Sequence, residues 1–312
     1  MRVIVVGLGV QGKKRLAVAG NEAVATVDPV NPDAKYKSVE DVPLGSYDAA
    51  LLCIPDEPKI KVISYLLSNR KHVLVEKPLF ADDPSRLLEL KQLAEANRTV
   101  CYTAYNHRFE PHFVRMKELV TSGRLGRIYS ARMFYGNGTA RLVRDSAWRD
   151  QGAGVLPDLG SHLLDTALFW FGRTTARFQV FSASRFENRA PDHVACGANG
   201  SPVLQMEMTL LSWRNHFYAD VLAEKGSAHI QSLCKWGPST FTVRDRKLPS
   251  GRPEEESVTL VQPDPTWQIE YRHFKELCDK GGNNIDNDIW INEMLAGLSA
   301  SVAPGKKNEP AA

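Results

Sequence analysis

Three short stretches carry side chains whose types and spacing could do chemistry. The first is Gly7-Leu8-Gly9-Val10-Gln11-Gly12, directly after the apolar run Val3-Ile4-Val5-Val6. In this spacing the first glycine allows a tight turn. The second lets a pyrophosphate approach the backbone, and the third lets a helix pack closely on the strand. A helix opening at Lys13-Lys14-Arg15 would then aim its first N–H groups at phosphates. Asp28 ends the next strand, Ala23–Val27, where a carboxylate can accept from a ribose diol; an Asp-Pro turn with Pro29 is compatible with that role. The second stretch is Val73-Leu74-Val75-Glu76-Lys77-Pro78. A buried strand is stopped by a proline that cannot donate a ladder bond. Glu76 and Lys77 then stand at the carboxyl end of a strand, where open parallel sheets bind ligands. Two solvated charges in a turn are the plain alternative. The third stretch holds Asp158, His162 and Asp165, spaced four and three apart on one helical face. A carboxylate one turn from an imidazole can fix its tautomer and suit it to act as a general base, although a histidine on an apolar helix is more often structural.

Other chemistries lack their signatures. The eight histidines include no His-x-x-x-His pair, no cysteines sit at zinc spacing, and no serine lies in a nucleophile elbow. No metal site is therefore expected. The net charge of +3 on 312 residues points away from nucleic acid and membrane surfaces, and no apolar run approaches the ~18 residues of a membrane helix. The N-terminal run is too short for a signal peptide. Five cysteines without a Cys-x-x-Cys pair read as reduced thiols, so a cytoplasmic protein is expected.

The elements that must position these residues alternate strand and helix. Strands are expected at 2–6, 23–27, 48–54, 72–76 and 100–104, with helices after Gly12, over 57–68 and after Asp82 or Asp83. This is an α/β pattern with a parallel sheet. Residues 29–47, with Pro29, Pro32, Pro43 and Gly45, leave room only for a helical stub near Ser38–Val42. The turn Ile54-Pro55 and the stretch Tyr105-Asn106-His107-Arg108 follow strands and fall at the same sheet edge. A helix covers about 110–122. Beyond it the pattern becomes a strand at 127–136, an arginine-rich loop at 137–151 and a long helix at 153–171. Strands follow at 176–184, 203–212, 215–223, 226–233, 239–244 and 256–261, then helices at 266–280 and 286–302. The expected organisation is a Rossmann domain over 1–122, an α/β domain with a large, mostly antiparallel sheet over 123–302, and a tail over 303–312.

Taken together, the N-terminal fingerprint, Glu76-Lys77-Pro78, Tyr105-Asn106-x-Arg108 and Asp158-x-Gly160-x-His162 resemble the Gfo/Idh/MocA family of glucose-fructose oxidoreductases and inositol dehydrogenases. The resemblance implies hydride transfer between a nicotinamide and a carbon bearing a hydroxyl on a sugar, cyclitol or nucleotide-sugar. It implies that Lys77 polarises the reacting oxygen, that His162 shuttles the proton, and that Asp158 holds His162 or the substrate. Lys77 acting as the base itself is the alternative. Asn106 and Arg108 would line the pocket, with Arg149 as a further substrate contact. Gly7, Gly9, Val10, Gln11, Gly12, Asp28, Ile54, Pro55, Glu76, Lys77 and Asn106 would surround the cofactor. The chain departs from the family pattern at Lys59, where the family often has histidine, at Gly152-Ala153-Gly154 in place of three glycines, and in the missing helix after strand two.

Asp28 with no following arginine or serine favours NAD over NADP. Between residues 105 and 149 eight arginines and one lysine face three acids, Glu110, Glu118 and Asp145. That bias fits an anionic sugar-like substrate or, equally simply, a solvated basic surface. A glycosidase that uses NAD without net turnover and a non-catalytic regulator on the same fold are the competing functions. Incomplete polar alternation in Arg214–Val221 suggests a sheet covered on both faces, hence a homodimer or homotetramer.

Overall fold

A computed structural model describes residues 1–146 and 149–302. Along the chain it places β1 (Val3–Val6), α1 (Val10–Ala19), β2 (Ala23–Val27), β3 (Ala49–Leu52), α2 (Asp56–Ser68), β4 (His72–Glu76), α3 (Ser85–Asn97) and β5 (Cys101–Ala104). Then come α4 (Pro111–Thr121), β6 (Ile128–Gly136), α5 (Ala140–Arg144), α6 (Ser161–Phe171) and β7 (Phe178–Ser184). The strands β8 (His193–Ala198), β9 (Val203–Thr209), β10 (His216–Ala223), β11 (Gly226–Gln231), β12 (Ser239–Asp245) and β13 (Glu254–Leu260) precede α7 (Thr266–Lys280) and α8 (Ile285–Val302).

The chain divides into two compact units. The first joins Met1–Phe109 to Pro265–Asn292, and the second joins Glu110–Asp264 to the chain from Glu293. The expected tail over 303–312 lies outside the described residues.

In the first unit all five strands are parallel, in the order β2-β1-β3-β4-β5. β1, β3 and the middle of β4 are buried on both faces, as parallel strands covered by helices must be. Tyr36 makes one further parallel bridge to Val27, beyond β2. The sheet is thus a doubly wound dinucleotide order whose outermost strand has shrunk to a single bridge. The prolines between 29 and 43 explain this: they remove donors and leave only a 3-10 stub at Val39–Asp41. At the opposite edge Asn284 accepts from the backbone N–H of Thr103 (2.8 Å) and donates to its carbonyl (2.9 Å). A side chain therefore completes the ladder of β5 and blunts the exposed edge.

The second unit is built on an eight-stranded sheet, β13-β12-β11-β10-β6-β9-β8-β7, antiparallel except for the β6–β9 pair. Its inner face packs on α4 and α6. Ala131, Met133 and Tyr135 of β6 and Phe217, Ala219 and Val221 of β10 point inward and are buried. Arg132, Tyr218, Asp220, His229 and Arg244 line the outer face. The alternation in β10 is cleaner than the sequence suggests.

Three local features differ from the expectation. β8 is a strand that the reading omitted, because Pro191 precedes it closely and Gly197 interrupts its pattern. The expected loop at 137–151 contains the short helix α5. The helix expected over 153–171 begins as a turn, passes through a π-helical segment at Leu156–Gly160 around Pro157, and becomes α-helical at Ser161. Pro157 stands in the first turn of that segment, where an N–H would have no intrahelical acceptor in any case.

Trp170 anchors α6. Its ring lies 5.0 Å from that of Phe113, its indole N–H donates to the Phe113 carbonyl at 3.0 Å, and it is fully buried. Trp170→Ala should cost about 3–5 kcal/mol of unfolding free energy in urea titrations, and a loss below about 1 kcal/mol would show that α6 is held by other contacts.

Candidate active site

Because the five strands of the first unit run parallel, the segments after each one emerge at the same sheet edge. Those segments are the glycine turn after β1, Asp28 after β2, Cys53-Ile54-Pro55 after β3, Glu76-Lys77-Pro78 after β4 and Tyr105-Asn106 after β5. Topology alone gathers the cofactor-side residues expected from the sequence.

The glycine turn has the shape that the spacing implies. Gly7 sits at φ +88°, and a Cβ there would stand 2.3 Å from the Cys53 carbonyl oxygen. A Cβ on Gly12 would stand 1.8 Å from the Gly7 carbonyl oxygen, so α1 can approach β1 only without one. A Cβ on Gly9, by contrast, would meet nothing within 4 Å, and Val10 is 73% exposed. No side chain caps the N-terminus of α1. This open backbone cradle at a helix start fits a pyrophosphate.

Asp28 is both a turn residue and a link. Its carboxylate accepts from the N–H of Leu8 (2.8 Å), Val30 (2.9 Å) and Asn31 (2.8 Å). Burial works to raise its pKa, but these three donors outweigh it and hold the carboxyl below the usual carboxylate range. A carboxylate has about four acceptor sites, so one remains for a ribose hydroxyl.

Glu76 points into the first unit. Its carboxylate meets Arg15 at 2.7 Å, and Arg15 also meets Glu270 of α7 at 2.7 Å. Arg15 is 1% exposed and its guanidinium stacks 4.3 Å from the Trp267 ring. Burial opposes the Arg15 charge, yet Glu270 and Glu76 more than compensate and keep its pKa above the ordinary value. Lys59, on the buried face of α2, donates to the carbonyls of Glu76 and Pro78, both at 2.8 Å. Lys77, between them, is half-buried. Asn106 is buried and donates to the Thr266 hydroxyl at 2.9 Å. Arg108 lies in the same 3-10 turn; burial lowers the pKa of nearby His273, and the Arg108 charge adds to that.

In the second unit, Asp158 lies in the π-helical segment and His162 in the first turn of α6. The Asp158 carboxylate stands 3.6 Å from Arg149. His162 is buried, with its ring 5.7 Å from that of Tyr135, which in turn lies 5.7 Å from Trp236. Burial and then the Asp158 charge raise the Tyr135 pKa. The other loop arginines also face acids: Arg141 lies 3.6 Å from Glu187 and Arg144 3.4 Å from Asp145.

Glu110, Cys234 and Asp264 form one group of potential metal ligands, within 4.8 Å of one another. The Glu110 carboxylate already accepts from the backbone N–H (2.6 Å) and the thiol (3.1 Å) of Cys234. Burial, followed by the Glu110 bond, pushes that thiol up to about 12, which disfavours the thiolate a metal would need. All five cysteines are free thiols. No helix among the described residues is long and apolar enough to cross a membrane.

Sequence reasoning missed Arg15, Lys59, Trp267, Glu270 and Tyr135. For two of them the signal was present. Gly12, Arg15 and Ala19 share the buried face of α1, and Lys59 shares that of α2 with Ile63, Leu66 and Leu67. A basic residue at a core position of the helical period marks a buried, partnered charge.

Residues 1–105 match the model of an oxidoreductase family with an NAD-binding Rossmann fold, and residues 113–229 match the Gfo/Idh/MocA C-terminal domain. An uncharacterised oxidoreductase of Schizosaccharomyces pombe is 34% identical over 128 residues, covering 40% of this chain and 34% of that protein. The inositol 2-dehydrogenase of Mycolicibacterium gilvum is 24% identical over 197 residues, covering 58% of this chain and 55% of that one. These matched stretches span from a third to about half of the relatives' lengths. A solved levoglucosan dehydrogenase in complex with NADH shares the fold, with a TM-score of 0.82 at 18% identity over 97% of both chains. The two family matches cover both halves of the pattern read from the residues, and the chain belongs to the Gfo/Idh/MocA family of oxidoreductases.

Proposed function

We propose that this protein is an NAD-dependent dehydrogenase acting on a secondary alcohol, or the corresponding ketone, of a sugar, cyclitol or nucleotide-sugar. One observation carries the reading. The 2.7 Å ion pair between Arg15 and Glu76 ties the helix that opens the phosphate cradle to the turn that bears Lys77. A phosphate-binding loop and a candidate oxygen-polarising lysine are thus fixed to each other within one unit.

The bound dinucleotide would supply the two-electron acceptor or donor. Everything else falls to the chain. The helix start at Gly9–Gln11 binds phosphate through backbone N–H groups. Asp28 accepts from the ribose, and Ile54, Pro55, Glu76 and Asn106 complete the cofactor walls. Lys77 holds the reacting oxygen and stabilises negative charge as it develops there. His162 takes or returns the hydroxyl proton at a ring nitrogen, with Asp158 and Arg149 placing the substrate. Arg108 is a further candidate substrate contact. A second role for Lys77, as the base itself, predicts the same loss when it is truncated. Because Arg141, Arg144 and Arg149 each face an acid, they impose no requirement for an anionic substrate. A neutral polyol is the simplest ligand. The retained Lys77, Asp158 and His162 favour an enzyme over a regulator. The glycosidase alternative predicts sugar cleavage without net change in NAD.

NAD is preferred over NADP because a carboxylate at Asp28 repels a 2′-phosphate. We assign self-association to the outer face of the eight-stranded sheet. There the Phe134 and Tyr218 rings stack 5.2 Å apart and charges of both signs, Arg132 and Asp220 among them, are suited to pairing about a two-fold axis. Light scattering at micromolar concentration should give a dimer or tetramer; a monomer would contradict it.

The reaction is tested by following absorbance of the reduced cofactor over a panel of sugars and cyclitols. On the substrate so found, Lys77→Ala should lower kcat by about 10²-fold or more while the cofactor still binds. Near wild-type turnover in that variant would remove Lys77 from the mechanism.

A further inference from the structure

Lys59 is buried at a core position of a helix. The side chain is 2% exposed and projects from α2 on the same face as Ile63, Leu66 and Leu67. An ammonium has three N–H donors and no acceptor. Here all three have a destination: the Glu76 carbonyl at 2.8 Å, the Pro78 carbonyl at 2.8 Å and the Asp56 carboxylate at 2.6 Å. The two carbonyls belong to the residues on either side of Lys77. The ladder between β4 and β5 ends at the pair Glu76–Ala104, so the strand's own pairing stops just before this turn. On its other side the turn is held by Arg15 through the Glu76 carboxylate.

A packing role alone does not account for a lysine here. Three apolar neighbours on the same helical face would accept an apolar residue, and burying an ammonium carries a desolvation cost that only well-placed partners offset. Beside the Asp56 carboxylate, the partners it has are the backbone oxygens that flank one side chain.

We infer that Lys59 is a positioning residue for Lys77, its ammonium clamping the carbonyls of Glu76 and Pro78 so that the turn between them is held in one conformation. The clamp itself is a property of the first unit. Its catalytic consequence rests on the role proposed above for Lys77.

The full-length Lys59→Met protein, compared with wild type by amide hydrogen exchange, tests the clamp. Exchange at the amides of Lys77, Leu79 and Phe80 should accelerate by about tenfold or more, while β1 and β3 stay within about twofold of wild type, because only the local opening is made easier. Unchanged exchange at 77–80 overturns the inference. So does an acceleration spread evenly over the sheet, which would mark a general loss of stability. Should Lys59→Met fail to fold, Asp56→Ala is the second variant: Asp56 is half-exposed, and its change removes one of the three acceptors together with the counter-charge. A smaller acceleration confined to 77–80 is expected there, and a flat profile overturns the clamp. On a substrate of the enzyme, Lys59→Met should lower kcat by about tenfold while the dissociation constant for NADH, read by fluorescence, stays within about threefold, since the phosphate cradle is untouched. If Lys77→Ala retains turnover, the proposed role of Lys77 falls and the exchange result still decides the clamp.

Discussion

A guanidinium cannot be buried alone, and the first unit is arranged around satisfying one. Arg15 is almost wholly inaccessible, on the face of α1 that packs on the sheet. Left unpaired, such a charge would cost several kcal/mol. It is met by Glu76 at the end of β4, by Glu270 on α7 and by the face of Trp267. One partner ends β4 and the other two lie on α7, about 190 residues further along the chain. The need for Glu270 and Trp267 gives a physical reason why a C-terminal helix belongs to the N-terminal unit. Tyr271 and Lys275, further along α7, add bonds to Glu22.

The same constraint organises the candidate chemistry. With its carboxylate held by Arg15, Glu76 is the fixed end of the turn that carries Lys77. Asp28 does similar work at the other side of the cradle, fastening the glycine turn through Leu8 while keeping capacity for a hydroxyl. The candidate cofactor contacts are thus supported by buried ionic and hydrogen-bonded side chains as well as by backbone bonds between the strands. Preorganised donors and charges of this kind gain strength where water is excluded.

Most of the fold was legible because its signals are local. The strand-glycine-helix order at 3–19, the proline that ends β4 and the parallel alternation to β5 all follow from short windows of sequence. β8 was not, since Pro191 and Gly197 break a six-residue pattern whose strand character comes from pairing with β7 and β9. The π-helical turn at Leu156–Gly160 was not either, because Pro157 looks like an ordinary helix-start proline. Of the candidate site, the phosphate and ribose residues were named from motif spacing and the proposed catalytic and substrate residues from the family resemblance. The residues that hold them, Arg15, Lys59 and Glu270, were given no such role, because Arg15 was read only as part of the helix opening and Lys59 only as a departure from the family pattern, without applying the helical period to either. Their partners lie up to 255 positions away in sequence.

The central claim is that the edge formed by the glycine turn, Asp28 and the clamped Glu76-Lys77-Pro78 turn is an NAD site. Calorimetric titration of the purified wild-type protein with NAD and with NADP, at one ionic strength, tests it most directly. Losing the Asp28–ribose bond and gaining phosphate repulsion should make NADP the weaker ligand by about one to two decades, the equivalent of a charged hydrogen bond of roughly 1.5–3 kcal/mol. Tighter binding of NADP, or no binding of either nucleotide, would contradict the account.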